Sequence, residues 1–417
     1  MLDINFIRQY PQEVIKACQD KQLDSLVVDQ LLKVDQDRRS LQQQLDQLRS
    51  EMNQNADLVK QQVHSTGKPE SDLIKKGKSL KEQLKELEPK FKKVLEQYDQ
   101  LMLQIPNVPS AEVPVGPDES GNQVVRQVGK LPQFKIAPLA HQEIMEKLDW
   151  VDNTRAVKLG GFRSYFLKGQ AVLLEQALLR YALDLMIEQG FTPMTVPVMV
   201  NQEAMTGTGY FPWGKEDHYL TQDEQYLTGT AEVALTAYHQ GETLTESDLP
   251  IKLVGISPCF RREVGAHGKD TQGIIRVHQF MKVEQVVLTV ADEQETIKWH
   301  EKMLGYAEAL LQNLGLPYRV LLMCTGDMGA GQRKKYDIET WFPSQEKYRE
   351  THSASYFNDF QSRRLNIRYQ AKDGSLKYVY TLNNTVAASP RLLAAIVENY
   401  QKEDGTVVVP EVLKKYL

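Results

Sequence analysis

The 417-residue chain holds only three cysteines, Cys18, Cys259 and Cys324, set far apart. They are neither paired in sequence nor spaced as metal ligands, which excludes a disulfide scaffold and points to a reducing, cytoplasmic setting. No run approaches the roughly eighteen apolar residues of a membrane span, so no membrane partner is expected. The opening MLDINFIRQYPQEV lacks a basic start followed by an apolar core, so no signal peptide is expected. Positive charge is not in excess either: 50 Lys and Arg against 55 Asp and Glu leave a net charge of −5. A nucleic-acid partner would therefore have to meet a local basic patch. What remains, 41% hydrophobic and 25% charged, is the composition of a soluble globular protein, and the length suggests two domains.

The first of these spans residues 1–104. Leu31, Val34, Leu41, Leu45, Leu48 and Met52 keep the alternating three-and-four spacing of a heptad seam, with Arg38 in the one polar slot. Leu80, Leu84, Leu87, Phe91, Val94, Tyr98 and Leu101 repeat the pattern, with Pro89 expected to kink the helix locally. Ser65-Thr66-Gly67-Lys68-Pro69 separates the runs as a turn. The pattern predicts an antiparallel coiled-coil hairpin over about 30–101, a rod of roughly 50 Å at about 1.5 Å per residue. Lys75, Lys76, Lys78 and Lys81, then Lys85, Lys90, Lys92 and Lys93, form a basic run along its second half. Interleaved glutamates allow a plain solvated face; the other reading is a surface that tracks phosphates. Residues 103–121 are rich in Pro, Gly and Ser and read as a linker to a second domain, 105–417.

The second domain mixes helices with strands, and one stretch carries most of its chemistry. Pro258 to Glu284, PCFRREVGAHGKDTQGIIRVHQFMKVE, reads as two strands flanking a polar loop from Val264 to Gly273 that holds Gly265, His267, Gly268, Lys269 and Asp270. Two apart on a strand, Arg261 and Glu263 would share one face, as would Lys282 and Glu284 on the return. A fixed cation beside a fixed carboxylate suits a ligand with an anion and a donor-rich base; an ion-paired surface hairpin has the same spacing. The stretch resembles motif 2 of the class II aminoacyl-tRNA synthetases, in the form found in seryl-tRNA synthetases. The likeness covers nearly the whole chain, arm included. It implies an α+β fold: an antiparallel sheet with flanking helices, preceded by the coiled-coil arm. It implies ATP-dependent attachment of L-serine to tRNA(Ser) through a seryl-adenylate, with tRNA(Sec) serylated too. The arm would then reach the long variable arm of the tRNA.

Other segments follow from the same likeness. Ala171 to Glu188, an amphipathic helix closed by Gly190, and the following FTPMTVPVMV, demoted to an edge by Pro193 and Pro197, resemble motif 1 and imply a homodimer. Thr230, Ala231 and Glu232 in TGTAE, with Glu284 and Thr385, would form the serine pocket. By itself TGTAE could be a helix cap, with Thr230 as N-cap and Glu232 in the first turn. Serine brings an ammonium and a hydroxyl; which of the two carboxylates takes which stays open. Arg261 would meet the α-phosphate, Glu263 the adenine amino group with Val277 beside it, and Arg262 would lie at the ATP site. Glu350, Thr351, His352 and Ser353 match the segment beside ATP, Glu350 as ligand of Mg²⁺; His352 stands where a hydroxyl residue is usual. Arg391 would hold the triphosphate tail, from a helix expected to begin with Ser389 as N-cap and Pro390 as first residue. Asn384, Val386 and Pro390 replace glycines of the common motif 3. Arg261, Glu350 and Arg391 are thus the expected catalytic set, and no zinc site is expected. Asp292 to Leu314 reads as a surface helix and Tyr318 to Met323 as a buried strand. A synthetase-like paralogue without charging activity and a coiled-coil adaptor are the alternatives.

Overall fold

The computed structural model describes residues 1–264 and 273–417. The expected loop residues Gly265, His267, Gly268, Lys269 and Asp270 lie outside the described residues. The chain divides into two compact units: one comprises Leu2–Gln19 and Leu23–Pro106, the other Asn107–Leu417 with residues 1 and 20–22.

In the first unit, short helices Ile4–Gln9 and Pro11–Asp20 precede two long ones, α1 (Leu26–Thr66) and α2 (Ser71–Gln104). They form the expected hairpin. Gly67 ends α1 at φ +77°, a left-handed conformation that glycine adopts without a Cβ penalty. Leu31, Leu45, Leu80 and Leu84 are buried in the seam. Toward the turn the pattern departs from expectation: Met52 is exposed, and Asn55 is buried instead, donating from Nδ2 to the Leu73 carbonyl at 3.0 Å. A buried polar side chain bonded across the pair fixes register where a flexible methionine would not. Helix α2 continues through Pro89. At the other end, buried Asp35 accepts from Arg8 at 2.8 and 2.9 Å and from Arg38 at 2.9 Å, and Arg38 lies over the Tyr98 ring. That network fills the polar slot in the seam.

The second unit is built on eight strands: β1 (Gln123–Val128), β2 (Thr192–Thr195), β3 (Ile251–Phe260), β4 (Gln279–Thr289), β5 (Tyr318–Leu322), β6 (Lys334–Phe342), β7 (Lys347–Asn358) and β8 (Tyr380–Ala388). Their spatial order is β1-β5-β6-β7-β8-β4-β3-β2. All neighbours are antiparallel except β2, which joins the edge parallel to β3. The proline at Pro193 is tolerated there because one side of an edge strand needs no ladder bonds.

Helices α3 (Gln170–Glu188), α5 (Glu293–Asn313) and α7 (Ser389–Asn399) pack against one face of this sheet; α4 (Glu232–Ala237) touches β3 and β4, and α6 (Phe360–Leu365) touches β7 and β8. Helix α5 is the expected surface helix, with Lys298, Glu301 and Lys302 exposed on one face and Trp299, Met303, Leu304, Leu310 and Leu311 buried in the main core on the other. The strands are amphipathic in the period-two sense. On β6, Tyr336, Ile338 and Phe342 enter the core while Lys335, Asp337 and Glu339 face the other way. That second face is polar at its centre.

Candidate active site

Strand β3 stops at Phe260, so Arg261, Arg262 and Glu263 are not a strand, and the expected shared face is corrected. Glu263 has φ +54°, a left-handed turn that redirects the chain. The turn sends Arg262 away but leaves Arg261 and Glu263 lining one pocket. Arg261 lies over the Phe280 ring at 5.4 Å. Arg262 is turned away and donates to the Glu216 carbonyl at 2.8 Å. Glu263 accepts from Arg276 at 2.6 Å.

Arg261 and Glu263 meet Glu350, Thr351, His352, Thr385 and Arg391 around one pocket, whose apolar wall is Val277, Ile275 and Phe280. It adjoins a cavity of about 410 Å³ lined by Tyr210, His218, Arg261, Glu263, Glu350 and Arg391. Glu350 stands on β7 opposite Glu339. Arg391 is the third residue of α7 and donates to the Glu350 carbonyl at 2.7 Å and its carboxylate at 3.2 Å. The Glu350 side chain keeps 47% of its surface exposed. Withdrawal from bulk water opposes its ionisation, but the fields of Arg391, Lys335 and Arg261 outweigh this and hold it below the usual carboxylate range. The helix itself begins one residue earlier than expected. Ala388 is the N-cap, and the Ser389 hydroxyl instead accepts from the Met281 N–H at 3.3 Å.

His352 is buried, and its role follows from its partners. Nε2 lies 3.0 Å from the Val386 carbonyl, which can only accept, so this nitrogen carries the proton. Nδ1 then accepts from the Thr351 hydroxyl at 2.9 Å. Burial brings the imidazole down to about 4, although the bond to Val386 works the other way, so the ring is neutral near pH 7. Asn384 points to the opposite side of the sheet and donates to the Met303 carbonyl at 2.8 Å. Ser353 lies opposite Asp337 on β6, and Asp337 pairs with Lys335 at 2.9 Å.

A second group of polar side chains lies deeper. Glu284 on β4 is opposite Thr385 on β8, whose hydroxyl donates to it at 3.3 Å, and Lys282 reaches the same carboxylate oxygen at 2.5 Å. Glu232 begins α4, after Thr230 and Ala231. Ala231, not Thr230, is the N-cap; the Thr230 hydroxyl accepts from the Glu232 N–H at 3.2 Å. Ala231 is fully buried, packed in an apolar cluster with Leu235 and Leu253.

The Glu232 carboxylate accepts from Tyr210 Oη at 2.8 Å and from Gln361 Nε2 at 3.0 Å, both neutral donors. Burial, reinforced by the field of Glu284, raises its carboxyl to about 7 against the pull of Tyr210, Lys282 and Gln361. Of these partners only Lys282 carries a sequence signal, through its position in the return strand. Tyr210, Gln361 and Thr381 come from distant segments with no motif of their own. Arg276 and Phe280 stood inside the recognised stretch without a role.

Among the described residues, no group of three or more His, Cys, Asp or Glu side chains is placed to hold a metal ion by itself. Glu350, an ionised hard-oxygen donor open to the cleft, fits a cation that takes most of its ligands from phosphate and water. No helix among the described residues is long and apolar enough to cross a membrane.

An antiparallel-dominated sheet with this cleft on its polar side is the core of a class II synthetase. Residues 216–400 match the model of the tRNA synthetase class II core domain for G, H, P, S and T, and residues 1–109 match the seryl-tRNA synthetase N-terminal domain. The chain is 48% identical to the serine–tRNA ligase of Deinococcus radiodurans, over 100% of this chain and 97% of that one. For the Symbiobacterium thermophilum serine–tRNA ligase, identity is 42%, over 100% and 98%. The seryl-tRNA synthetase of Pyrococcus horikoshii complexed with ATP superposes with a TM-score of 0.92 at 40% identity, covering 100% of this chain and 98% of that one. The cytoplasmic serine–tRNA ligase of Naegleria fowleri in complex with AMP gives 0.88 at 33%, covering 100% and 97%. The chain belongs to the seryl-tRNA synthetase family.

Proposed function

We infer that this chain is a serine–tRNA ligase that activates L-serine with ATP and passes the seryl group to tRNA(Ser), and to tRNA(Sec) where the cell has one. The observation that carries the reading is the pair of buried carboxylates beside the cleft, of which one has a cationic partner and the other none. Glu284 already has Lys282 at 2.5 Å. Among the described residues Glu232 has only neutral donors, and a buried anion without a paired counter-charge is costly. The serine ammonium supplies that charge at Glu232. Glu284, fixed by Lys282 and Thr385, is left to accept from the serine hydroxyl, and Thr230, bonded to the Glu232 N–H, would add a hydroxyl beside it. A site built to bond a hydroxyl rejects analogues that lack it by about 10⁴–10⁵-fold.

ATP takes the adjoining pocket. Phe280, Val277 and Ile275 give the base an apolar wall, Glu263 is the acceptor for its amino group, and Arg391 holds the phosphate tail. Thr351 and His352 form the floor, and Ser353 continues the polar row with Asp337. A serine carboxylate oxygen attacks the α-phosphorus as pyrophosphate leaves, giving seryl-adenylate; the terminal tRNA hydroxyl then attacks the seryl carbonyl, loses its proton and forms the ester as AMP leaves. Arg261 stands between the two pockets and stabilises the charge on the α-phosphate. Positioning and charge stabilisation carry such a step, so no covalent nucleophile is required. Mg²⁺, held by Glu350, would neutralise phosphate charge; Arg391 must then exchange its bond to the Glu350 carboxylate for one to phosphate.

Residues 1–104 act as the tRNA-binding arm and 105–417 as the catalytic domain. All eight lysines along α2 are exposed, and among the described residues only Lys75 pairs with a carboxylate, Asp72, which supports a phosphate-tracking surface. Exposed Val172, Leu173 and Ile187 on α3 support an isologous homodimer. The cytoplasm is the expected compartment. Serine-dependent ATP–pyrophosphate exchange tests the reading, with threonine, alanine and glycine as controls. Exchange with serine alone, lost in Arg261→Ala, is expected; no exchange with any amino acid refutes it.

A further inference from the structure

Gln361 is fully buried on α6, about 130 positions from Glu232 in sequence, and plays no part in the chemistry above. Its side chain is saturated in an ordered way. Nε2 donates to the Thr208 carbonyl at 2.9 Å and to Glu232 Oε1 at 3.0 Å. Oε1 accepts from the Thr381 hydroxyl at 2.6 Å. Turning the amide over would set its oxygen against a carbonyl and a carboxylate, two acceptors, so only one orientation satisfies the network. Tyr210 takes the other oxygen of Glu232.

We propose that Gln361, oriented by Thr381, is a positioning residue that holds the Glu232 carboxylate ionised and in plane for the serine ammonium. The proposal rests on the assignment of Glu232 to the ammonium. The alternative is that Gln361 serves only to satisfy the buried Thr208 carbonyl. The two differ in what they predict. A positioning role makes serine binding, but not ATP binding, depend on the amide, because neither Gln361 nor Thr381 lines the ATP pocket. It also makes the ionisation of Glu232 depend on it, since removing a donor from the charged form favours the protonated one. The charged and titratable groups around this carboxylate are Tyr210, Glu284 and Lys282, and all are left in place by the variants below.

The experiment measures KM for serine and for ATP by pyrophosphate exchange between pH 6 and 7.5 in Gln361→Met, Thr381→Val and Thr381→Ser. A lost hydrogen bond to a charged group corresponds to a rise in serine KM of roughly 10–100-fold for Gln361→Met. Thr381→Val, which frees the amide to turn, is expected to give a smaller rise, and Thr381→Ser to restore the original value. ATP KM should stay within about twofold, and the pH midpoint for serine should move upward in Gln361→Met. Parallel changes in both KM values, or a lower melting temperature with serine KM and its pH midpoint unmoved, overturn the proposal. If Gln361→Met does not fold, the two Thr381 variants decide by the same serine-to-ATP comparison. Absence of serine-dependent exchange in the unaltered protein would overturn the pocket assignment itself, whatever the variants do.

Discussion

Serine binding should weaken as the pH falls from 7.5 to 6, and the size of the change follows from Glu232. Its carboxyl is raised from 4.5 to about 7 in the empty pocket, chiefly by burial. An acid raised on folding binds its proton more tightly in the folded chain. The unliganded fold therefore loses stability as the pH rises from 4.5 toward 7, by about 1.4 kcal/mol per unit. An ammonium placed on Glu232 reverses this, because it favours the ionised form, and the serine complex is populated only where the carboxyl has given up its proton. With a midpoint near 7 the ionised fraction is roughly one in eleven at pH 6 and three in four at pH 7.5. The apparent serine dissociation constant should thus fall about eightfold across this window. His352, brought down to about 4, is already neutral there and contributes little; burial lowers His218 as well. Titration calorimetry with L-serine, without ATP so that phosphate ionisation does not intrude, measures the change directly. Glu232→Gln should bind weakly and with no slope. An affinity flat between pH 6 and 7.5 in the unaltered protein would refute the assignment of Glu232 to the ammonium.

Lys282→Met should leave Glu284 buried without its cation and lower unfolding stability by about 3 kcal/mol in urea denaturation; full stability in the variant would mean that Glu284 is solvated. His352→Phe keeps a planar aromatic ring, slightly larger, but removes the donor to the Val386 carbonyl, and a loss of about 1–3 kcal/mol is expected, together with a higher KM for ATP. Replacing Gln30–Leu101 with a short Gly-Ser turn should leave serine-dependent exchange within a few fold while tRNA charging is lost; equal loss of both would contradict an arm that serves only tRNA.

Periodicity made the arm readable, because a hairpin of two helices is fixed by contacts three and four residues apart. Its errors have the same origin. A heptad count extends the seam to Met52, whereas the chain sets Asn55 against the Leu73 carbonyl, and a polar residue in a seam carries no apolar signal. The boundaries of β3 and α7 were misplaced because a left-handed turn at Glu263 and a serine used as an acceptor for Met281 depend on neighbours distant in sequence. The serine pocket divides in the same way. Glu232 and Glu284 stand in segments with recognisable spacing, while Gln361, Thr381 and Tyr210 are ordinary residues in their own surroundings and gain meaning only where the sheet gathers them.

His352 and Val386 make the point most sharply. Taken singly, each is a departure from the common form of its motif, and each casts doubt on the pocket. In the fold they meet: the imidazole donates to the Val386 carbonyl while the Val386 side chain turns into the core beside Leu382 and Ala387. A small hydroxyl at position 352 has a much shorter reach toward that carbonyl than an imidazole. A glycine at 386 would leave the apolar core unfilled. Each substitution therefore has a structural use of its own: the imidazole satisfies a backbone carbonyl, and the valine fills the core. A double-mutant cycle on His352→Ser and Val386→Gly tests this: the bonded carbonyl is backbone and survives in the glycine variant, so the two costs should add to within about 0.5 kcal/mol, and a larger coupling would show that the imidazole and the valine side chain depend on each other.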